Sequence, residues 1–311
     1  MFKILEEVKD AKSIAISGHV RPDGDCIGAT MGLYQFLRKS MPEANIQVYL
    51  EETPKEFAFI QGMDKIDSTF TMEDPYDIFI VCDCSPDRLG GGVDICKRAK
   101  KTINIDHHIS NTGTCDVNYI VPTASSTSEL IFDVIDENYL DIEMAKAIYI
   151  GIIHDTGVLK YSNTSPKTLN TVAKLIAFDF DFTKLIDQTF YEKTYAQNLI
   201  LGRAILDSNL YENGKIIAST VTKEMMEIYG VTSKELDGIV NQLLITSGVE
   251  CAIFLYQTGD QEYKVSMRSK EYMNVSAIAV AFGGGGHVRA AGCTISGEAD
   301  EIIQQLLAYM K

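Results

Sequence analysis

The chain has 311 residues, enough for about two domains, and its 46% apolar and 23% charged content argues against disorder. A net charge of −15 argues against a protein that grips long duplex nucleic acid, because that binding needs many Lys and Arg against phosphates. The longest apolar runs, Ile78 to Cys82 and Ala145 to Ile153, fall well short of the ~20 residues of a membrane helix, and seven cysteines without a short-domain spacing indicate reduced thiols.

Met1 to Ser13 carries both signs of charge and no continuous apolar core, so it does not read as a signal peptide, and the cytoplasm is the expected compartment. Ser13 to Ser17 reads as a short buried strand. Gly28 to Lys39 follows as a helix, with Ala29, Gly32, Leu33, Phe36 and Leu37 at helical spacing. Ile46 to Leu50, Asp77 to Cys82 and Thr102 to Ile105 are further strands, apolar on both faces as parallel strands covered by helices should be. Ser128 to Asn138 and Glu143 to Asp155 read as helices. The alternation predicts a doubly wound, mainly parallel α/β domain. Ser165 to Phe178 is an amphipathic helix, Asp179 to Tyr191 has no clear period, and a helix within Tyr191 to Asp207 leads into a second, smaller α/β domain. There, strands Lys215 to Val221, Cys251 to Gln257 and Tyr263 to Arg268 alternate with helices Ser233 to Ile245 and Asp300 to Met310. The expected division is 1–190 and 191–311.

The five histidines, His19, His107, His108, His154 and His287, all lie beside aspartates or glycines at the ends of apolar segments. The run His19-Val20-Arg21-Pro22-Asp23-Gly24-Asp25 directly follows the first strand, at the end of a parallel sheet where ligands bind. Turn formation or helix capping explains one aspartate there, but not two with an imidazole, which repel and desolvate poorly without a cation. Asp83 ends the most apolar strand. Cys82 and Cys84 beside it have no second cysteine pair nearby and read as small buried residues. Asp106-His107-His108 ends the strand at 102–105, and Asp155 follows the apolar 145–153 segment within Gly151-Ile152-Ile153-His154-Asp155-Thr156-Gly157. Carboxylates and imidazoles without thiolate suit Mn2+ or Mg2+ chemistry, with enough ligands for two ions, and two-metal sites hydrolyse phosphate esters.

With these motifs in this order the chain resembles the DHH-family phosphoesterases. Phe282-Gly283-Gly284-Gly285-Gly286-His287 is similar to the glycine-rich signature of their DHHA1 domain. The resemblance implies one metal on His19, Asp23 and Asp83, and another on Asp25, Asp83, His107 and Asp155, with Asp83 bridging. His108 would orient ligands or polarise the phosphate, and Asp83, Asp106 and His108 count as the catalytic set. Two Mn2+ ions are implied, with Mg2+ or Co2+ as substitutes. His154 is read as a structural neighbour of the motif. Four cations, Lys264, Arg268, Lys270 and Arg289, against Glu262 and Glu271 make the stretch around the glycine run locally basic, and glycines let backbone N–H groups approach phosphate oxygens. By resemblance Arg268 and His287 would hold a substrate phosphate, with Gly284, Gly285 and Gly286 lining it and Ser266, Arg289 and Arg88 as further contacts.

The pairing of the two domains resembles bifunctional oligoribonucleases that also dephosphorylate adenosine 3′,5′-bisphosphate (pAp). It implies short RNA, linear dinucleotides such as pApA and pAp as substrates. They would be cut in an interdomain cleft by in-line attack of a hydroxide bridging two metals. The family implies a homodimer and neither long duplex nucleic acid nor membrane as partner. Three alternatives stand beside this reading. A cyclic-dinucleotide (c-di-AMP) phosphodiesterase shares the motifs. A manganese pyrophosphatase should show an Arg/Lys-Lys cluster and lack Gly283 to Gly286. A nucleotide sensor that has lost catalysis should lack a ligand, and here every one is present.

Overall fold

A computed structural model describes residues 2–72 and 74–310 of the chain. Two compact units are built, Met1–Glu192 and Lys193–Lys311.

In the first unit the strands are β1 (Ser13–Ser17), β2 (Asn45–Tyr49), β3 (Ile66–Asp67), β4 (Ile78–Cys82), β5 (Lys101–Asp106) and β6 (Val117–Ile120). They form one sheet in the order β3-β2-β1-β4-β5-β6, with every pairing parallel. This is the doubly wound order, and the winding reverses between β1 and β4. The apolar runs arise because alternate residues serve opposite cores. Ile78, Ile80 and Cys82 of β4 face one core, and Phe79 and Val81 face the other. Helices α1 (Ile4–Val8), α2 (Gly24–Ser40), α3 (Gly92–Arg98), α4 (Thr127–Val134), α5 (Ile142–Asp155), α6 (Pro166–Ile176) and α7 (Phe182–Ile186) complete the unit. The larger core takes Ile27, Leu33 and Phe36 of α2 and Ile148 and Ile152 of α5, whereas Ile95 and Cys96 of α3 belong to the smaller one.

Two differences from the sequence reading have local causes. The first long helix starts at Gly24 rather than Gly28, because Asp23 caps it by accepting from the backbone N–H groups of Asp25 and Cys26. The helix expected at 128–138 ends at Val134. Ile135 turns extended and Asp136 caps a separate short turn at Glu137–Tyr139. The aperiodic stretch at 179–191 holds the five-residue α7 and a π-turn, Asp187–Tyr191, both too short to show a period.

α2 and α5 run antiparallel in close contact. A Cβ on Gly24 would meet His154, one on Gly28 would stand 2.6 Å from the Ala147 carbonyl oxygen, and one on Gly32 would stand 2.8 Å from Ile148. The start of α2 therefore lies beside the end of α5. A Cβ on Gly151 would collide with Ser128 Oγ and stand 2.9 Å from an Asp25 carboxylate oxygen. Gly151→Ala is expected to destabilise the metal-free protein by about 1–3 kcal/mol in urea unfolding. An unchanged midpoint would show that the crossing has slack.

The second unit holds β7 (Asn209–Tyr211), β8 (Ile216–Val221), β9 (Cys251–Gly259), β10 (Glu262–Ser269), β11 (Gly285–His287) and β12 (Ala290–Ser296), in the order β11-β12-β10-β9-β8-β7. Only β8 and β9 pair parallel. Helices α8 (Tyr195–Leu206), α9 (Lys223–Tyr229) and α10 (Ile239–Leu244) cover one face, and α11 (Val275–Ala281) and α12 (Ala299–Tyr309) the other. The helix read at 233–245 is split. Gly238 adopts φ +84° and separates a turn at Ser233–Leu236 from α10. The glycine run is not a plain loop. The N–H groups of Gly283 and Gly284 bond back to Val280 and Ala279 and close α11, and Gly285 to His287 then form an edge strand. Gly286 sits at φ +140° with the Ala290 carbonyl 2.5 Å from where a Cβ would stand, so only glycine fits. No helix among the described residues is long and apolar enough to cross a membrane.

Candidate metal centre

The loops after β1 and β4 flank the point where the sheet's winding reverses, and each carries site residues. His19 Nδ1 donates to the Val20 carbonyl at 2.8 Å, which leaves Nε2 facing Asp23 Oδ1 at 3.7 Å and Asp83 Oδ2 at 3.5 Å. Asp83 follows β4 in a left-handed conformation, φ +63°, that a non-glycine residue rarely adopts. Its N–H donates to the Ile105 carbonyl at 3.0 Å and its Oδ1 accepts from Thr127 Oγ1 at 2.9 Å, so the carboxylate is aimed and held. His107, just after β5, directs Nε2 at Asp155 Oδ2 (3.4 Å), Asp83 Oδ1 (3.7 Å) and Asp25 Oδ2 (4.0 Å). Asp25 comes from the first turn of α2 and Asp155 from the last residue of α5, and the helix crossing brings them together.

These separations of 3.4–4.0 Å are too long for hydrogen bonds. They match the spacing of two donor atoms that each lie about 2.1 Å from one ion, roughly 3.0–4.2 Å. Nε2 of His107 is buried without a hydrogen-bond partner, an uncommon and costly state for an imidazole nitrogen. The electrostatics agree. Burial pushes Asp155 up to about 8, with Asp25 and Asp23 adding to the shift. Burial likewise raises Asp25, and it raises Asp83 well above the carboxylate range with the charge of Asp25 reinforcing it. Burial alone would lower His19, but its contacts with Asp23 and Asp83 outweigh that and raise it to about 10. A crowd of carboxylates this far from its ordinary behaviour is what a divalent cation relieves. The residues fit such an ion.

Asp83 and His107 each belong to two ion-sized groups, Asp83 with His107 and His108, and Asp25 with His107 and Asp155, while His19 and Asp83 group with Cys26. Burial keeps the Cys26 thiol protonated, and its Sγ fills the space where a Cβ on Gly18 would go. Cys26 thus fills packing space against the His19 loop. Asp106 stands apart from these groups. One oxygen accepts from His108 N and Nδ1 (3.1 and 2.8 Å), and the other from Asn111 Nδ2 at 2.6 Å. Asn111 also donates to Asn104 Oδ1 at 2.7 Å, and Asn104 donates to the carbonyls of Val81 and Cys84. Asp106 thus orients His108. His154 is half-buried between Phe57 and Phe190, edge-to-face with each, and bonds Thr189 Oγ1 at 2.9 Å; burial lowers it to about 4.

The sequence reading missed Asn104, Asn111, Thr127 and Ser128. The backbone N–H groups of Thr127 and Ser128 donate to the two oxygens of Asp25 at 2.7 and 2.9 Å. The signal was present as Ser126-Thr127-Ser128-Glu129, a helix-start signature, and Ser126 does cap α4. Asn104, a lone amide in an apolar strand, was a second signal.

The residues expected to hold substrate are placed separately. Arg88 is exposed, in the turn after Asp83, and its carbonyl accepts from Val20 N at 2.9 Å, so that turn adjoins the His19 loop. In the second unit Arg268 of β10 lies opposite Ala290 of β12, which lies opposite His287 of β11. The next row on that face is Ser266, Gly292 and Gly285. Gly284 and Gly286 belong to the backbone turns described above. Arg289 is already engaged, donating to the carbonyls of Met273 (2.9 Å) and Glu271, while Glu250 accepts from the N–H groups of Glu271, Tyr272 and Met273. The guanidinium and the carboxylate clamp the 271–273 loop between them.

Imidazoles and buried carboxylates gathered at ion spacing on the switch point of a doubly wound sheet define a metal-dependent hydrolase. The chain belongs to the DHH family of phosphoesterases: residues 13–152 match the DHH family N-terminal domain and residues 213–311 the DHHA1 domain. It is 32% identical over 318 residues to the Bacillus subtilis protein named bifunctional oligoribonuclease and PAP phosphatase NrnA, covering 99% of this chain and 98% of that one. A protein of the same name from Thermus thermophilus is 28% identical over 302 residues, covering 96% and 89%. The fold matches an exopolyphosphatase-related protein from Bacteroides fragilis with a TM-score of 0.88 at 24% identity, covering 98% of this chain and 94% of that one.

Proposed function

We propose that the protein is a Mn2+-dependent phosphoesterase that cuts short oligoribonucleotides and linear dinucleotides such as pApA to mononucleotides, and converts pAp to AMP. In this reading His19, Asp23 and Asp83 hold one ion, and Asp25, Asp83, His107 and Asp155 hold a second. The observation that carries it is Asp83, whose two oxygens face His19 on one side and His107 and His108 on the other. Full-length similarity to relatives named for both activities supports the substrate class. When bound, the metal pair supplies an activated water and neutralises charge building on the phosphoryl group. The chain's own residues do the rest. His108, its Nδ1 held by Asp106, presents Nε2 to the substrate, as a donor to a phosphate oxygen when the ring carries both protons. Arg268 and His287 grip a second phosphate of the nucleotide, with Arg88 as a further cation beside the β4 loop. Short substrates suit a chain whose net charge is −15. The seven free cysteines suit a reducing cytoplasm.

The test is a Mn2+-dependent assay that compares pAp, pApA, cyclic di-AMP and pyrophosphate. Fast release of AMP from the first two is expected. Cleavage of only the cyclic dinucleotide or only pyrophosphate would overturn the substrate assignment.

A further inference from the structure

Two carboxylates from different elements meet at the start of one helix. Asp25 arrives on α2 and Asp83 on the loop after β4, and both end on Thr127, the first residue of α4. The Thr127 backbone N–H donates to Asp25 Oδ2 at 2.7 Å, and its Oγ1 donates to Asp83 Oδ1 at 2.9 Å. Ser128 N–H takes the other Asp25 oxygen at 2.9 Å. All three groups are buried, so water does not compete for the bonds. The unpartnered Nε2 of His107 faces the same two carboxylates, at 4.0 and 3.7 Å. Without Thr127 Oγ1, Asp83 Oδ1 has no donor among the described contacts and the carboxylate is free to swing. The left-handed backbone at Asp83 fixes where its Cα lies but not how its side chain turns.

We infer that Thr127 is a positioning residue that pre-sets the spacing of Asp25 and Asp83 for divalent ions before any ion arrives. The inference rests on the metal-centre reading above. Its physical content is preorganisation. A hydroxyl fixed on a carboxylate at a helix start removes the ordering that ion binding would otherwise have to impose, and outer contacts of this kind typically carry 10–100-fold in metal affinity.

The experiment is calorimetric Mn2+ titration of the wild type and of Thr127→Val, Thr127→Ala and Thr127→Ser, with urea unfolding in chelator run alongside. Valine and alanine keep the N–H bond to Asp25 and lose the bond to Asp83, and serine keeps both. The expected result is roughly a 10–100-fold loss of Mn2+ affinity in the valine and alanine variants, and near wild-type affinity in the serine variant. A purely structural role would instead lower stability in chelator and leave the affinity of the folded protein unchanged. Wild-type affinity in Thr127→Val or Thr127→Ala overturns the inference, as does a serine variant as weak as alanine. If valine does not fold, the alanine and serine pair decides. Failure of the wild type to bind Mn2+ at all would instead sink the metal-centre reading, and binding of a single ion would sink only its two-ion form.

Discussion

Asp83→Asn is expected to lower Mn2+-dependent turnover by on the order of 10³-fold or more, because it removes the one carboxylate proposed to serve both ions. Asparagine is the informative replacement. Asp83 sits at φ +63°, a conformation asparagine tolerates better than most residues, so the change tests charge with little backbone penalty. Alanine should abolish turnover as well, but it adds backbone strain and an unfilled space. The metal-free protein should behave in the opposite way. Burial and the charge of Asp25 hold the Asp83 carboxyl well above its ordinary range. A group whose folded-state value is raised destabilises the fold at any pH where it ionises in the unfolded chain, and a neutral amide escapes that penalty. Urea unfolding in chelator at neutral pH should therefore show no loss of stability in Asp83→Asn, and the stabilisation that Mn2+ gives the wild type should shrink. Robust turnover in this variant would sink the shared-carboxylate centre.

The candidate site was legible where chemistry and topology coincide. His19, Asp83 and Asp106-His107-His108 each follow a strand whose apolar run is unmistakable, and parallel strands put such residues on one rim. Asp155 was harder to place. It ends a helix, and it joins the rim because glycines at 28 and 151 let α5 lie against α2, a contact with no local signature. The start of α2 was misread because Asp23 has two uses, as the helix cap and as a candidate ligand, and loop chemistry hid the helix start. The positioning residues left a helix-start signature and a lone strand amide, but nothing local that says which side chains they bond. Thr127, Asn104 and Asn111 act through partners 5 to 102 residues away, and no spacing along the chain announces such a bond. The edge hairpin β11–β12 was missed because glycine and alanine have low strand propensity. It forms because neighbouring β10 offers a strand to pair with, and bulk at Gly286 would push the backbones apart.

That hairpin sets the second large expectation. Arg268, Ala290 and His287 lie in one row across three adjacent strands, so their side chains leave the same face of the sheet. Neighbouring strands lie about 4.8 Å apart, which puts Arg268 and His287 about 10 Å apart at the backbone with only a methyl group between them. The row beside it, Ser266, Gly292 and Gly285, adds one hydroxyl and otherwise bare backbone. Two long donors over a floor of small residues suit a phosphate, and a hydrogen bond to a charged group contributes about 1.5–3 kcal/mol. His287→Ala should therefore cut kcat/KM on pAp and pApA by roughly 10–150-fold. It should spare a small aromatic phosphodiester, which has no second phosphate to grip, and leave Mn2+ affinity unchanged. Arg268→Ala should act in the same direction. Equal losses on nucleotides and on the small diester would mean that this face of the sheet supports the fold of the second unit and does not hold substrate.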